Sequence, residues 1–496
     1  MQLDLEVGNR SNLMLLASAA TWKRLVLPRY QPARSFLQTK RLSPRQSVAS
    51  VRASRSESDI QTGNLQTAPA TPAADAEPPS SQPGRLFSNI DPSELTHRPG
   101  TVFASATLVA GTTVGAGILA LPYSTQEAGF TASSAALTFA AVYNILTGLL
   151  IAEVSVNTMC QLGRGSTSIK TMAERTLGKA GANVTSASYI FLHYAMLSAY
   201  TARGGEIVGD WTHLPKAAMS IVFVGSLGLL CYKASPKLLD NFNSTLVIAI
   251  LVCFGALLVS AGGNIEPTAL SKANWSALPD TVPTLSLVCV YQNVVPVIAS
   301  NLEGDIQKVR VAVCTGIAIP WVMFLAWDAA ILGNLGNPHL QELMRSSGAT
   351  DPLDLLTKSD PVVGPLIQFF SFAALTTSLI GFTLGLVDFV GDLLPIPSEK
   401  SRLYSYMASL LPPVFFGIAF PGAFFAALDV AGTYGVLLLF GVIPAAMAWS
   451  ERYGETTLSR ERVVGGGAPA LLGIGGFAAL VIGKELTQTV LNALPH

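Results

Sequence analysis

Eleven mostly apolar stretches follow one another between residues 102 and 482, separated by short polar connections. They cover residues 102–121, 133–159, 183–202, 217–231, 242–261, 283–301, 311–335, 364–394, 404–427, 430–450 and 468–482. About 20 apolar residues in a helix, rising about 1.5 Å each, cross the roughly 30 Å hydrocarbon slab of a bilayer. Eleven transmembrane helices and an all-α integral membrane protein are therefore expected, the fourth span being among the shortest. Residues 364–394 would make a helix of about 46 Å, which must tilt or project from the bilayer.

The connections after spans 2, 4, 6, 8 and 10 hold 13 Lys and Arg, against 6 in the other connections and the C-terminal end. Positive residues accumulate in loops that are not translocated, so the N-terminus is expected inside and the C-terminus outside. Eleven divides into five, five and one. Because five is odd, spans 6 to 10 would cross in the opposite sense to spans 1 to 5, the inverted-repeat plan of many secondary transporters. Residues 101–262 would form the first repeat, 263–282 a connecting loop, 283–450 the second repeat, and 451–496 a loop and the extra helix. That plan puts the substrate between two interrupted helices, the first of each repeat.

Both of those spans carry helix-breaking features. Span 1 reads AGTTVGAGILALP from Ala110 to Pro122, with Gly111, Gly115 and Gly117 beside the β-branched Thr112 and Thr113. Each Gly costs about 1 kcal/mol of helix propensity, so unwinding loses little here. Unwound backbone at bilayer depth is tolerated where it lines a cavity, and its N–H groups can hold an anion. Close helix packing through Gly111 and Gly115, at G-x-x-x-G spacing, is the competing reading. In span 6, Pro296 has no N–H to give the Gln292 carbonyl, which sits beside the amides of Gln292 and Asn293 and offers acceptors for an ammonium group or a cation. A simple proline kink is the alternative there, but neither bland reading predicts the coincidence of two breaks.

Only 12% of residues are charged and mean hydropathy is +0.45, as a membrane-embedded chain requires. Zero net charge leaves no footprint for nucleic acid. The five Cys (160, 231, 253, 289, 314) show no C-x-x-C pairing, and no metal or cofactor site is expected. Residues 7–56 carry ten Lys/Arg and no acidic residue, with a single apolar patch too short to span a bilayer. That composition describes an organelle transit peptide, residues 1–53, followed by an unstructured linker, residues 54–100. A plastid (chloroplast) address is expected, with the mitochondrion as the alternative; in a plastid inner envelope the N-terminus would be stromal. An enzyme would want concentrated catalytic groups, and the chain has five His, no H-E-x-x-H, no G-x-S-x-G and no P-loop. A channel would want repeated pore-lining charge. Paired broken helices argue for an occluded transport site.

The run AGTTVGAGILALPYSTQEAGF, beginning at Ala110, resembles the first-helix signature of the tryptophan/tyrosine permease family, aromatic amino acid permeases of the amino acid/polyamine/organocation superfamily. Glu153, the run SFAALTTSLIGFTLGLVDF from Ser371 to Phe389, and residues 427–446 add to the resemblance, which covers about residues 100–490. The tract YQNVVPVIASNLEGD, Tyr291 to Asp305, looks like the plastid-targeted, tyrosine-specific branch and departs from the bacterial permeases. The resemblance implies an eleven-span, leucine-transporter-like fold and proton-coupled symport, with sodium coupling the lesser alternative.

Buried ionisable residues in a membrane are candidate coupling sites. Tyr189, His193, Met196, Tyr200 and Arg203 form one helical stripe in span 3, with His193 at mid-span, able to exchange a proton near physiological pH. A His hydrogen-bonded inside the bundle is the plainer reading. Glu153 near the inner end of span 2 can bind a proton or reach the interface, and Asp388 in span 8 is the next candidate. Asp328 and Asp392 are read as interfacial, and Arg203 with Glu206 as a surface ion pair. Thr376, Thr377 and Ser378 stand where sodium-coupled relatives of this fold place hydroxyl ligands, though such hydroxyls often bond back to their own helix. For an aromatic amino acid, N–H groups from Thr112 through Gly115 and Ala116 to Gly117 would hold the carboxylate. The Gln292 carbonyl and Asn293 would take the ammonium, and the ring would lie toward Tyr194 or Tyr200 and Phe382. Other neutral amino acids or amino-acid-derived hormones are the competing substrates.

Overall fold

The structure, a computed structural model, describes residues 100–162, 167–262, 265–337, 340, 342, 351–359, 363–393, 398–454 and 462–493. The expected transit peptide and nearly all of the linker lie outside the described residues. The contacts below belong to residues 86–488.

Regular structure among the described residues is helical. Span 1 consists of α1 (Val102–Thr113), a 3-10 turn (Ala116–Ala120) and α2 (Leu121–Thr125). Then come α3 (Gly129–Leu162), α4 (Ile169–Thr212), α5 (Lys216–Lys233), α6 (Pro236–Gly262) and the short α7 (Pro267–Leu270). Span 6 is α8 (Leu278–Val288), a 3-10 turn (Gln292–Val294) and α9 (Val295–Asn301). The chain continues through α10 (Ile306–Asn334), α11 (Pro352–Ser359), α12 (Val363–Leu393) and α13 (Ser398–Ala419). Span 10 joins α14 (Phe424–Val430), a π-helical stretch (Ala431–Val442) and α15 (Ile443–Tyr453), and α16 (Gly467–Ala493) ends the bundle.

Eight of these rods are long and apolar enough to cross a membrane, and the bent span 1 makes a ninth. The 44-residue α4 and the 22-residue α13 have the length but a more polar composition, which brings the described rods to eleven. The chain is thus an all-α, multi-pass integral membrane protein.

Two boundaries differ from the hydropathy reading. Helix α4 begins at Ile169 rather than 183, because Gly178 (φ +71°) kinks it and joins a short amphipathic segment to the spanning part. Residues 424–427 open span 10 rather than closing span 9, because Pro421 and Gly422 make the turn between them.

Contacts between distant segments fix which ends of the rods lie together. At the basic end, Gly100 N–H donates to the Asn301 carbonyl at 2.8 Å and Ser450 Oγ to that of Thr176 at 2.5 Å. At the opposite end, Asn274 N–H donates to the Ala128 carbonyl at 2.8 Å and Glu266 N–H to that of Gly333 at 3.1 Å. Spans 1 and 6 therefore run antiparallel, start beside end. The core of the bundle holds Trp327, Tyr291, Phe324 and Phe370, each almost completely buried.

Candidate functional site

Both first-of-repeat spans are broken at mid-length, and the breaks touch: a Cβ added at Gly117 would lie 3.4 Å from Val288. In span 1, α1 stops at Thr113, and Val114 N–H still reaches the Ala110 carbonyl at 2.9 Å. Gly115 is extended (φ −138°, ψ −165°), and the helix resumes at Ala116. Ala116 N–H donates to Ser378 Oγ of α12 at 2.9 Å, and Ile118 N–H to the Gly115 carbonyl at 3.2 Å.

What the break leaves open follows from that accounting. The N–H groups of Gly115 and Gly117, and the carbonyls of Gly111, Thr112, Thr113 and Val114, have no hydrogen-bond partner among the described residues. Thr112 and Thr113 do not contribute N–H groups as expected. Both stand inside α1, and their hydroxyls donate back to the Leu108 and Val109 carbonyls at 2.8 Å. Gly111 is also helical and borders open space, so it does not make the break. The unwinding belongs to Val114 and Gly115.

In span 6 the break lies at Cys289–Tyr291, earlier than Pro296 implied. Pro296 occupies the first turn of α9, where a missing N–H costs nothing. The Gln292 carbonyl is not left open, because Val295 N–H donates to it in a 3-10 turn. The open acceptors are instead the carbonyls of Cys289 and Val290. The Gln292 side chain is fully buried; its Nε2 donates to Asn144 Oδ1 at 2.5 Å and Thr147 Oγ1 at 3.0 Å, and its Oε1 accepts the Tyr291 N–H at 2.9 Å. Gln292 holds the break in shape from α3, while Asn293 is exposed.

The span 3 stripe lines the same level. Tyr189 and His193 stack with centroids 4.0 Å apart, and Phe382 of α12 lies between His193 (5.0 Å) and Tyr200 (5.7 Å, edge-on). Phe382 is one turn from Ser378 on α12, so the aromatic cluster sits one turn from the open N–H groups. His193 Nδ1 is 2.8 Å from the Tyr189 carbonyl and must donate to it, which leaves Nε2 as the acceptor of a neutral ring. Tyr194 points elsewhere: its hydroxyl donates to the Ala408 carbonyl of α13 at 2.7 Å. Thr376 and Thr377 bond back to the carbonyls of Phe372 (2.7 Å) and Ala374 (3.0 Å), whereas Ser378 does not.

Of the other ionisable candidates, Asp388 is exposed and acts electrostatically on Tyr189 and Tyr406. Glu153 neither reaches solvent nor stands alone. It forms a fully buried bidentate pair with Arg452 of α15, at 2.6 Å to both oxygens, and accepts the Val463 N–H at 2.7 Å. Asp328 is 2% exposed rather than interfacial. Arg203 pairs with Glu206 (2.8 Å), as expected, and also with Asp354 (3.0 Å) and Asp351 (3.6 Å), which ties α11 to the outer part of α4. Burial, with Asp354 beside it, pushes the Asp351 carboxyl up to about 6 against the opposing pull of Arg203.

At the end opposite the basic one, a cavity of about 820 Å³ opens between α2, α8 and α14. Thr284, Ala120 and Leu332 are among its lining, and Tyr123 and Phe425 stack across its wall at 3.9 Å. Ala120 stands one turn beyond Gly117, so the cavity leads toward the breaks.

The chain matches the tryptophan/tyrosine permease family over residues 99–482. It is 28% identical over 384 residues to the tyrosine-specific transport system 2 of Haemophilus influenzae, covering 75% of this chain and 93% of that protein. A tryptophan-specific transport protein of Pseudomonas aeruginosa is 25% identical over 422 residues, 82% of this chain and 96% of its own. Glutamine transporter 2 of Aliivibrio fischeri is 27% identical over 368 residues, 72% of this chain and 90% of its own. With most of its length, both interrupted spans included, inside that match, this chain belongs to the tryptophan/tyrosine permease family, a family of transport proteins rather than enzymes.

Proposed function

We propose that the protein is a secondary active transporter of aromatic amino acids, tyrosine foremost, working by proton symport with alternating access. The observation that carries this reading is the span 1 break. Open carbonyls at 111–114 and open N–H groups at Gly115 and Gly117 stand side by side, matching the ammonium and carboxylate of one amino acid. The carbonyls of Cys289 and Val290 add acceptors from span 6. His193, Tyr200 and Phe382 supply the aromatic surroundings for a ring, where stacking adds about 0.5 to 1.5 kcal/mol beyond burial. The names of the Haemophilus and Pseudomonas relatives support the substrate class; the Aliivibrio relative favours glutamine as a second reading.

Two buried titratable side chains inside the spans, His193 and Asp328, support a proton as the coupling ion. Of the two described histidines, His193 is the one in the aromatic cluster beside the breaks. In proteoliposomes offered labelled tyrosine, tryptophan, phenylalanine and glutamine, tyrosine is expected to accumulate with an imposed proton gradient and without sodium. Preference for glutamine would overturn the substrate, and strict sodium dependence the coupling.

The basic, acid-free residues 7–56 support delivery to the plastid inner envelope, with the N-terminus in the stroma. Fused to a fluorescent reporter, residues 1–60 are expected to carry it into plastids. A mitochondrial or cytosolic reporter sinks that part of the reading.

A further inference from the structure

Asp328 lies in the half of α10 that packs against α2, in a rod of membrane-spanning length and apolarity, and is 2% exposed. Its Oδ1 is 2.7 Å from Thr125 Oγ1, and Thr125 Oγ1 is 2.8 Å from the Leu121 carbonyl of its own helix. No Lys, Arg or His among the described residues forms an ion pair with it. The ionisable groups around this half of α10 are Tyr123, Tyr143 of α3, Cys253 of α6, Glu266, Asp351, Asp354 and Lys358, with Glu127 and Lys272 on the cavity that Leu332 lines. Asp351 and Asp354 are committed to Arg203, and α1 carries no ionisable side chain.

Hydrogen-bond accounting decides the rest. A threonine hydroxyl has one proton to give, and here two acceptors surround it. With the carboxyl protonated, Asp328 donates to Thr125 and Thr125 donates to Leu121, so each contact is satisfied. With the carboxylate, one of the two is lost and a charge stays buried without a counter-ion, which only entering water relieves.

We infer that Asp328 is the proton-binding carboxyl of the transport cycle, its proton fastening the second half of broken span 1 to α10 through Thr125. The inference rests on the symport reading above. The segment it fastens runs without interruption from Gly115 and Gly117 to Thr125, so proton occupancy and the substrate's N–H partners share one moving part. Access is short as well: Leu332, one turn from Asp328, and Ser124, next to Thr125, both line the cavity at that end.

Asp328→Asn keeps the shape and the donor to Thr125 but has no titratable proton. In proteoliposomes it is expected to retain tyrosine exchange at equal concentrations and to lose proton-driven accumulation, with a flat pH profile. Wild type that follows the proton gradient while Asp328→Asn still accumulates tyrosine overturns the inference alone. Wild type that ignores the gradient overturns the symport reading and the inference with it. Should the variant lose exchange too, infrared difference spectra of the purified full chain between acid and alkaline pH decide. A protonated-carboxyl C=O band that shifts in Thr125→Val is expected, and identical spectra for wild type and Thr125→Val overturn the assignment.

Discussion

Tyrosine binding to Gly115→Val is expected to fall about 100-fold, the equivalent of about 3 kcal/mol for a carboxylate that loses its partners. A Cβ at Gly115 would stand 2.8 Å from Ser378 Oγ, the group that accepts the Ala116 N–H. The larger side chain must push α12 away from the break or fill the space beside the open N–H groups, and either one removes the carboxylate site. The backbone itself tolerates the change, since φ −138° and ψ −165° are open to any L-residue, so the variant should stay folded. Gly111→Ala is the control. Its Cβ meets nothing within 4 Å and its position is helical, so binding should persist and stability rise by about 0.5 to 1 kcal/mol. Binding and thermal unfolding of the purified variants check both; normal binding by Gly115→Val would make the Gly run a packing surface only.

The rods and the two interruptions were readable because they depend on local composition. Runs of apolar residues fix the spans, three close Gly weaken span 1, and a proline inside span 6 signals irregular backbone. The exact open groups were not readable, because they depend on partners far along the chain. Ser378 is 262 residues from the Ala116 N–H it accepts, and Asn144 is 148 residues from the Gln292 amide it binds. Asn144 left only a faint mark, a polar residue within an apolar run, and nothing in the Thr376–Ser378 triplet said that Ser378 alone would reach across to span 1. Pro296 marked the right span but the wrong residue, since a proline is as much at home in the first turn of a half-helix as at a kink.

The same limit explains the ionisable residues. Hydropathy gives depth along a rod but not the direction a side chain faces, so Asp328 near a span end reads as interfacial although α2 covers it. The π-helical stretch of span 10 was equally silent. Gly432 there packs on the Pro283 carbonyl of α8 and Gly435 on Leu192 of α4, so the widened turn fits between the second break and the aromatic stripe. Irregular turns of this kind recur at functional sites because they let a spanning helix change the direction of its side chains without ending it. Spans 1, 6 and 10 thus meet as three distorted rods beside α4 and α12, which supply Tyr200, Phe382 and Ser378.

Glu153→Leu and Arg452→Met, each alone, are expected to destabilise the protein by about 3 to 5 kcal/mol, because either leaves a buried charge without its partner. Total stabilities of about 5 to 15 kcal/mol make that a large fraction. The pair is fully buried, joined by two 2.6 Å hydrogen bonds, and anchors the Val463 N–H and the Val464 carbonyl ahead of α16. Arg452 was easily taken for an ordinary loop cation, since it stands at the polar end of span 10. The double variant Glu153→Leu with Arg452→Met should recover part of the loss, because both charges of the pair are gone, but not all of it, since Val463 and Val464 lose their partners. A double-mutant cycle read by thermal unfolding in detergent therefore shows a coupling energy of several kcal/mol. The opposite pattern is equally clear: a Glu153→Gln protein as stable as wild type that exchanges tyrosine but cannot accumulate it would make Glu153 a proton carrier. The bidentate geometry favours the structural role, because both carboxylate oxygens are already engaged by the Arg452 guanidinium and the Val463 N–H, which lock α3, α15 and the segment ahead of α16 together.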